Sequence, residues 1–313
     1  MFYGTINSYN KKNSGSYFMI MKDIIILMRP QQWVKNLFVF APLFFNGSFT
    51  KVHLLVNAII VFGVYCMVAS SIYCFNDIYD RNYDKRHIRK RLRPIAAGKI
   101  SVKQAYCMSL LLAAFSFLVI CCWFNDERCL NLCTCIFAYL SLNVAYCVWL
   151  KRKTLIDVFI ISIGFILRIL SGGLATDITI SHWLVLMTFL LALFLALAKR
   201  RDDVVTYEET GQSMRNGIDQ YNLAFMNQSI TLVASVNIIC YILYTVSPEV
   251  IDRVNNEYLY LTSIFVLLGM LRYMQLTIVD IKSGSPTKVL LHDHFIQVCI
   301  IAWCFLFISI LYL

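Results

Sequence analysis

Stretches of about 20 predominantly apolar residues recur along this chain, and that recurrence limits its folds more than any other feature. A hydrocarbon core of about 30 Å takes roughly 20 apolar residues to cross as a helix. Such segments are read at 24–45, 53–79, 103–124, 130–149, 155–174, 182–199, 228–246, 256–280 and 294–312. Strands are not expected, because an open sheet in lipid leaves backbone groups unpaired and the segments lack the alternation of a closed barrel. Hydrophobic residues make up 59% of the 313 positions and charged ones 15%, too apolar for a soluble chain of this length. The expected fold is all-α and polytopic: a short cytoplasmic segment 1–20, then a single membrane domain of nine transmembrane helices over 21–313. Residues 1–20 are polar and lack a small-residue cleavage site, so no cleavable signal peptide is expected.

Nine spans place the termini on opposite sides, and the basic residues choose between the two orientations. One set of connections carries Lys51, Arg128 and Arg253. The other carries five basic residues in 1–35, nine in 80–103, three in 151–153, four in 199–215, and Lys282 with Lys288. The net charge of +10 is thus concentrated on one face, which predicts a cytoplasmic N-terminus and an external C-terminus in a bacterial inner membrane. Nine basic residues in one loop exceed what orientation requires and point to a multiply charged phosphate ligand. The twelve cysteines form no CxxC pair, and most lie inside apolar spans, where they read as small core residues. No soluble nucleic-acid module or low-complexity tract is present.

At the end of the second span, Asn76, Asp77, Asp80 and Asp84 stand at i, i+1, i+4 and i+8. On a helix this puts the three carboxylates within about 60° of one face. Like charges so close are costly unless a cation sits among them, and Mg2+ takes such oxygen ligands while leaving room for phosphate. A solvated helix end paired with Arg81, Lys85 and Arg86 is the bland alternative. Against it stands the chain's densest basic run immediately downstream, Arg89-Lys90-Arg91-Leu92-Arg93-Pro94. Metal on one set of phosphate oxygens and Arg or Lys on the rest is the arrangement that diphosphate chemistry needs.

The NDxxDxxxD motif followed by Arg93-Pro94-Ile95-Ala96-Ala97-Gly98-Lys99-Ile100-Ser101 resembles the UbiA superfamily of intramembrane prenyltransferases. That resemblance covers nearly the whole chain and implies nine helices around a central cavity. Three further stretches are similar to one branch of the superfamily: Arg29-Pro30-Gln31-Gln32-Trp33-Val34-Lys35-Asn36 before Pro42, Lys199-Arg200-Arg201, and Gly284-Ser285-Pro286-Thr287 with Asp293. In that branch the donor is phosphoribosyl pyrophosphate and the acceptor a polyprenyl phosphate. Aromatic prenyltransferases carry a second aspartate-rich motif after the sixth span; this chain has Lys199-Arg200-Arg201-Asp202-Asp203 there. A cationic triplet suits a donor with an extra phosphate, while Asp202 and Asp203 keep a second metal open. At position 294 the resemblance leads one to expect arginine after Asp293, and the chain has His294.

Asp77, Asp80 and Asp84 are therefore expected to be catalytic and to bind Mg2+. Expected substrate contacts are Lys35, Asn36, Asn76, Arg91, Arg93, Lys151, Lys153, Arg168, Lys199, Arg200 and Arg201. For Trp33, Lys35 and Asn36 the expectation rests on the resemblance alone, since an interfacial Trp beside a Lys is usually an anchor. Asp157, Gly164 and Arg168 share one face of the fifth span, with Arg168 roughly 16 Å beyond Asp157. Such a deep arginine meets either a phosphate or an internal ion-pair partner. Lys151 and Lys153 are explained equally well by topology. Arg272 has no partner in sequence, and His292 with His294 make a weak metal pair.

Taken together, these features predict a Mg2+-dependent membrane transferase moving a 5-phosphoribosyl group to a polyprenyl phosphate and releasing pyrophosphate. One rival is isoprenyl transfer from a diphosphate to an aromatic or haem-like acceptor; the other is a non-enzymatic lipid or ion transporter. Broken midplane helices typify transporters, whereas here the acids sit at a helix's cytoplasmic end. Oligomeric state is not readable from the sequence.

Overall fold

The computed structural model describes residues 21–86, 90–211, 218–281 and 283–312. The expected segment 1–20, Arg89 and Lys282 lie outside the described residues. Among the described residues there is no strand, and eight helices are long and apolar enough to cross a membrane. We number them α1 (Val52–Tyr79), α2 (Val102–Trp123), α3 (Asp126–Val148), α4 (Ile156–Thr176), α5 (His182–Thr210), α6 (Leu223–Thr245), α7 (Ser263–Ile278, whose membrane-length span Glu257–Ile278 includes the 3-10 helix Glu257–Thr262 before it) and α8 (His294–Tyr312). All eight overlap spans read from the sequence.

The remaining expected span, 24–45, is interrupted. Residues 21–28 are helical, Pro30–Phe40 form a 3-10 helix, and Ala41–Phe45 return to α-helix. Pro30 explains the break: its ring disfavours right-handed helix at the preceding residue, and Arg29 adopts φ +54°. The Met28 carbonyl instead accepts from the Ser70 hydroxyl at 3.0 Å.

The chain forms two compact units. Unit 1 takes residues 21–37 and 60–148; unit 2 takes 38–59 and 149–312. In unit 1 the loop after α1 is held by a small core in which Leu27, Cys74, Ile95, Ile100 and Ala105 are buried together. The loop then hands over to α2 through a capping box, in which Ser101 Oγ accepts from the Gln104 N–H and Gln104 Oε1 accepts from the Ser101 N–H.

Unit 2 packs α4, α5, α6 and α7 around a larger core that includes Val158, Phe194, Leu197, Met226, Ile230 and Tyr273. Gly172 in α4 lets the chain at Val39 lie against that helix, since a Cβ there would stand 2.0 Å from the Val39 carbonyl oxygen. The apolar segment of the sixth span ends at 199, but α5 continues to Thr210 and stops at Gly211, where φ is +66°. No glycine or proline intervenes after residue 181 to stop it. Lys199 to Asp203 are consequently helix interior rather than loop.

Candidate functional site

In unit 1 the carboxylate motif begins in the last turn of α1 and crosses into a short helix, Arg81–Asp84. The helical path hardly breaks, with the Asp80 N–H donating to Asn76 O at 2.9 Å and the Asp84 N–H to Asp80 O at 2.8 Å. Asp77 and Asp84 therefore point the same way, as the spacing predicts, and both are buried, at 2% and 1% exposed. A single nitrogen, Arg93 Nη1, donates to Asp77 Oδ1 at 3.1 Å and to Asp84 Oδ2 at 2.7 Å. Arg29 Nη2 also donates to Asp77 Oδ1, and its guanidinium lies 5.0 Å from the centroid of the Tyr73 ring. Asp80 and Asn76 are half-buried on the same motif.

Two buried carboxylates in a low-dielectric site demand a positive charge, and Arg93 supplies it. Burial pushes the Asp84 carboxyl above its ordinary range, with the Arg93 guanidinium opposing that shift. The loop's shape explains how Arg93 arrives. Ala97 N–H donates to Arg93 O and Lys99 N–H to Pro94 O, closing a tight turn in which Gly98 takes φ +75°. Ile95 and Ile100 anchor that turn in the unit's core. Lys90 stands 5.7 Å from the centroid of the Tyr83 ring, and Arg91 is exposed.

Trp33 and Asn36 pack onto α1 within the same unit. Trp33 Nε1 donates to Ser70 Oγ at 3.1 Å, and the wholly buried Asn36 amide donates to Cys66 Sγ at 3.4 Å. Lys35, between them in sequence, is half-buried. The sequence gives Arg29 no role beyond its place in the 29–36 motif, although a charge beside a helix-breaking proline at the edge of an apolar segment is a signal for one.

Unit 2 holds its charges differently. Arg200 Nε donates to Asp157 Oδ2 at 2.6 Å and Nη1 to Asp203 Oδ2, and both Arg200 and Asp157 are only 4% exposed at the side chain. Tyr221 extends the network by donating to Asp157 Oδ1 and accepting from the Leu155 N–H at 2.8 Å. Arg201 is held by neutral acceptors, with Nε on Asn227 Oδ1 and Nη1 and Nη2 on the carbonyls of Thr277 and Ile278. Asp202 Oδ1 accepts from Ser283 Oγ at 3.0 Å. Lys199 is exposed.

Asp157, which the spacing sets on one face with Arg168, forms its buried ion pair with Arg200. Arg168 is buried, donates to the Gly164 carbonyl one turn back at 2.8 Å, and stacks 5.2 Å from the Phe165 centroid. Lys151 is half-buried and Lys153 exposed, the latter 5.5 Å from the Trp149 ring centroid. Arg272 finds its partner too. Its Nη2 donates to Asp293 Oδ2 at 2.8 Å, while Asp293 Oδ1 accepts from the Ile296 N–H at 2.9 Å and so caps α8. Hydrogen bonds from Arg272 hold the Asp293 carboxyl below its ordinary range. The contact of Tyr221 with Asp157 and the Arg272–Asp293 pairing are not legible in the sequence, because each links residues far apart in the chain.

Comparison with known proteins places the chain. The UbiA prenyltransferase family profile matches residues 37–291. A decaprenyl-phosphate phosphoribosyltransferase of Mycolicibacterium smegmatis is 34% identical over 297 residues, covering 91% of each chain. The protein of that name from Corynebacterium glutamicum is 31% identical over 293 residues, covering 93% of this chain and 87% of its own. Among solved structures, a UbiA homolog from Archaeoglobus fulgidus bound to GPP and Mg2+ superposes with a TM-score of 0.64 at 17% identity, covering 92% of this chain and 99% of its own.

Proposed function

The chain belongs to the UbiA prenyltransferase family, and from that premise we propose that it transfers a 5-phosphoribosyl group from phosphoribosyl pyrophosphate to a polyprenyl phosphate, releasing pyrophosphate. Similarity to phosphoribosyltransferases over about nine-tenths of the chain supports the donor. The observation that carries the chemistry is the buried pair Asp77 and Asp84 sharing one arginine nitrogen beside a basic loop.

That pair fits Mg2+: the donors are carboxylate oxygens, and their burial already requires a cation between them. Asp77, Asp80 and Asp84 are the residues that would hold the ion, which would neutralise pyrophosphate oxygens and so stabilise the leaving group. Arg93 and Arg29, now on the carboxylates, would turn to phosphate oxygens as the donor arrives. Asn76, Arg91, Lys35 and Asn36 complete the proposed contacts in unit 1. Lys151, Lys153, Arg168, Lys199 and Arg201 are the proposed phosphate-facing residues of unit 2, and Arg200, expected among them, is proposed instead to position that cluster through Asp157 and Asp203.

In the reaction an oxygen of the acceptor phosphate bonds to ribose C1 as the C1–O bond to pyrophosphate breaks. The electron pair leaves with pyrophosphate, and attack from the opposite face inverts C1. An anionic acceptor needs no general base, which agrees with a motif built of aspartates without histidine. The basic face is proposed to be cytoplasmic in a bacterial inner membrane.

Incubating purified protein and a polyprenyl phosphate with ribose-labelled phosphoribosyl pyrophosphate, or instead with a labelled isoprenyl diphosphate, tests this reading. Ribose label should enter the lipid and stop on chelation of divalent metal; entry of the isoprenyl label alone would overturn the donor assignment.

A further inference from the structure

Helices α2 and α3 form a hairpin joined by residues 124 and 125. Cys121 lies in the last turn of α2, while Cys129 and Cys133 stand four residues apart on α3 and so share a face. The sulfurs of Cys121 and Cys129 are 3.7 Å apart, and all three Sγ atoms lie within 4.8 Å of one another. Cys121 is exposed and the other two are half-buried, unlike the buried Cys66, Cys74, Cys147, Cys240 and Cys299. Reading the cysteines as small core residues therefore describes those five and not this trio.

We infer that Cys121, Cys129 and Cys133 form a binding site for a soft, thiophilic, closed-shell metal ion held by three thiolates. A metal–sulfur bond of about 2.3 Å sets sulfur–sulfur edges of about 3.7–4.0 Å. One edge already has that length, and the others need a contraction of about 1 Å at most, within reach of side-chain rotation. The group contains sulfur donors only, which disfavours hard ions such as Mg2+ or Ca2+ and favours Cu+ or Zn2+. Three sulfurs complete a trigonal Cu+ site; Zn2+ would take a water as fourth ligand on the exposed side at Cys121. Binding replaces three S–H protons by three metal–sulfur bonds and releases three protons, with no electron transferred.

The hairpin presents the sulfurs from both of its arms, so a bound ion would staple them and stabilise the folded state. The trio lies at the opposite end of α2 from the loop that carries Arg93. With 22 residues in α2, that helix is about 33 Å long. The inference does not depend on the reaction proposed above.

The test uses the full-length reduced protein in detergent without oxygen, titrated with Cu+ against bicinchoninate and separately with Zn2+ against a chromophoric chelator. Expected is one equivalent retained per chain, lowered about 100-fold or more in affinity by Cys121→Ser, Cys129→Ser or Cys133→Ser and unaffected by Cys107→Ser. Retention of Zn2+ in preference to Cu+ would support the three-thiolate site and identify its occupant. Equal uptake by the wild type and the Cys121→Ser/Cys129→Ser/Cys133→Ser variant would overturn it, as would a Cys121–Cys129 disulfide that persists in the reduced sample. Circular dichroism of each variant checks that the fold survives.

Discussion

The two units handle buried charge in contrasting ways. In unit 1, Asp77 and Asp84 are almost fully buried, but the arginines that satisfy them, Arg29 and Arg93, are each 26% exposed at the side chain. In unit 2 both members of the Arg200–Asp157 pair are buried to the same extent, and Tyr221 and Asp203 close the network. A partner reached from solvent can be exchanged for another cation or drawn onto a substrate. A pair closed to solvent at both members suits a scaffold, even with Asp203 beside it 23% exposed. On the proposed function the first cluster carries the chemistry and the second positions it, and each of the following measurements bears on that contrast.

Asp77→Ala should show the largest effect on turnover, a fall of about 10²–10³-fold, equivalent to roughly 3–4 kcal/mol of transition-state stabilisation. Thermal unfolding of that variant should stay close to wild type; near-normal turnover would break the assignment of chemistry to unit 1. Asp157→Ala should act in the opposite sense. Arg200 keeps Asp203 but loses its buried partner, at a cost of about 2–3 kcal/mol, to be read as a lowered denaturation midpoint. Unchanged stability would mean that this network is not scaffold.

Gly98→Ala sharpens the comparison within unit 1. No atom lies within 4 Å of the added Cβ, so the cost is that of φ +75° alone, about 1 kcal/mol. Turnover should drop with stability, since Arg93 rides on that turn. The smallest effect is expected for Arg272→Gln, read as stability against pH. Arg272 lowers the Asp293 pKa, so the stabilisation it confers is present above the ordinary aspartate range and is lost as pH falls through the native value. Wild type and variant should therefore differ at neutral pH and converge in acid; a constant difference would remove the ion pair as its cause.

Much of this is legible in the sequence. Apolar segments of membrane length locate all eight membrane-length helices among the described residues, because in lipid the backbone must satisfy itself within each segment. Likewise the spacing of Asp77 and Asp84 predicted a shared face, and the structure shows both on one guanidinium. Less legible was the end of α5, since a fall in hydropathy after residue 199 marks the end of an apolar segment and not of a helix. The broken path at Arg29 could be suspected from Pro30, but its consequence, an arginine delivered to Asp77, could not.

What the sequence determined by itself was therefore whatever depends on neighbours along the chain: helical periodicity, the carboxylate face, and the motifs that place the chain in its family. Tertiary structure alone decided which charges meet. Arg29 and Asp77 are 48 residues apart, Arg200 and Asp157 are 43, and Arg272 and Asp293 are 21. Local spacing carries no information about such pairs, because they are selected by how helices pack and by the high cost of leaving any one of these charges buried alone.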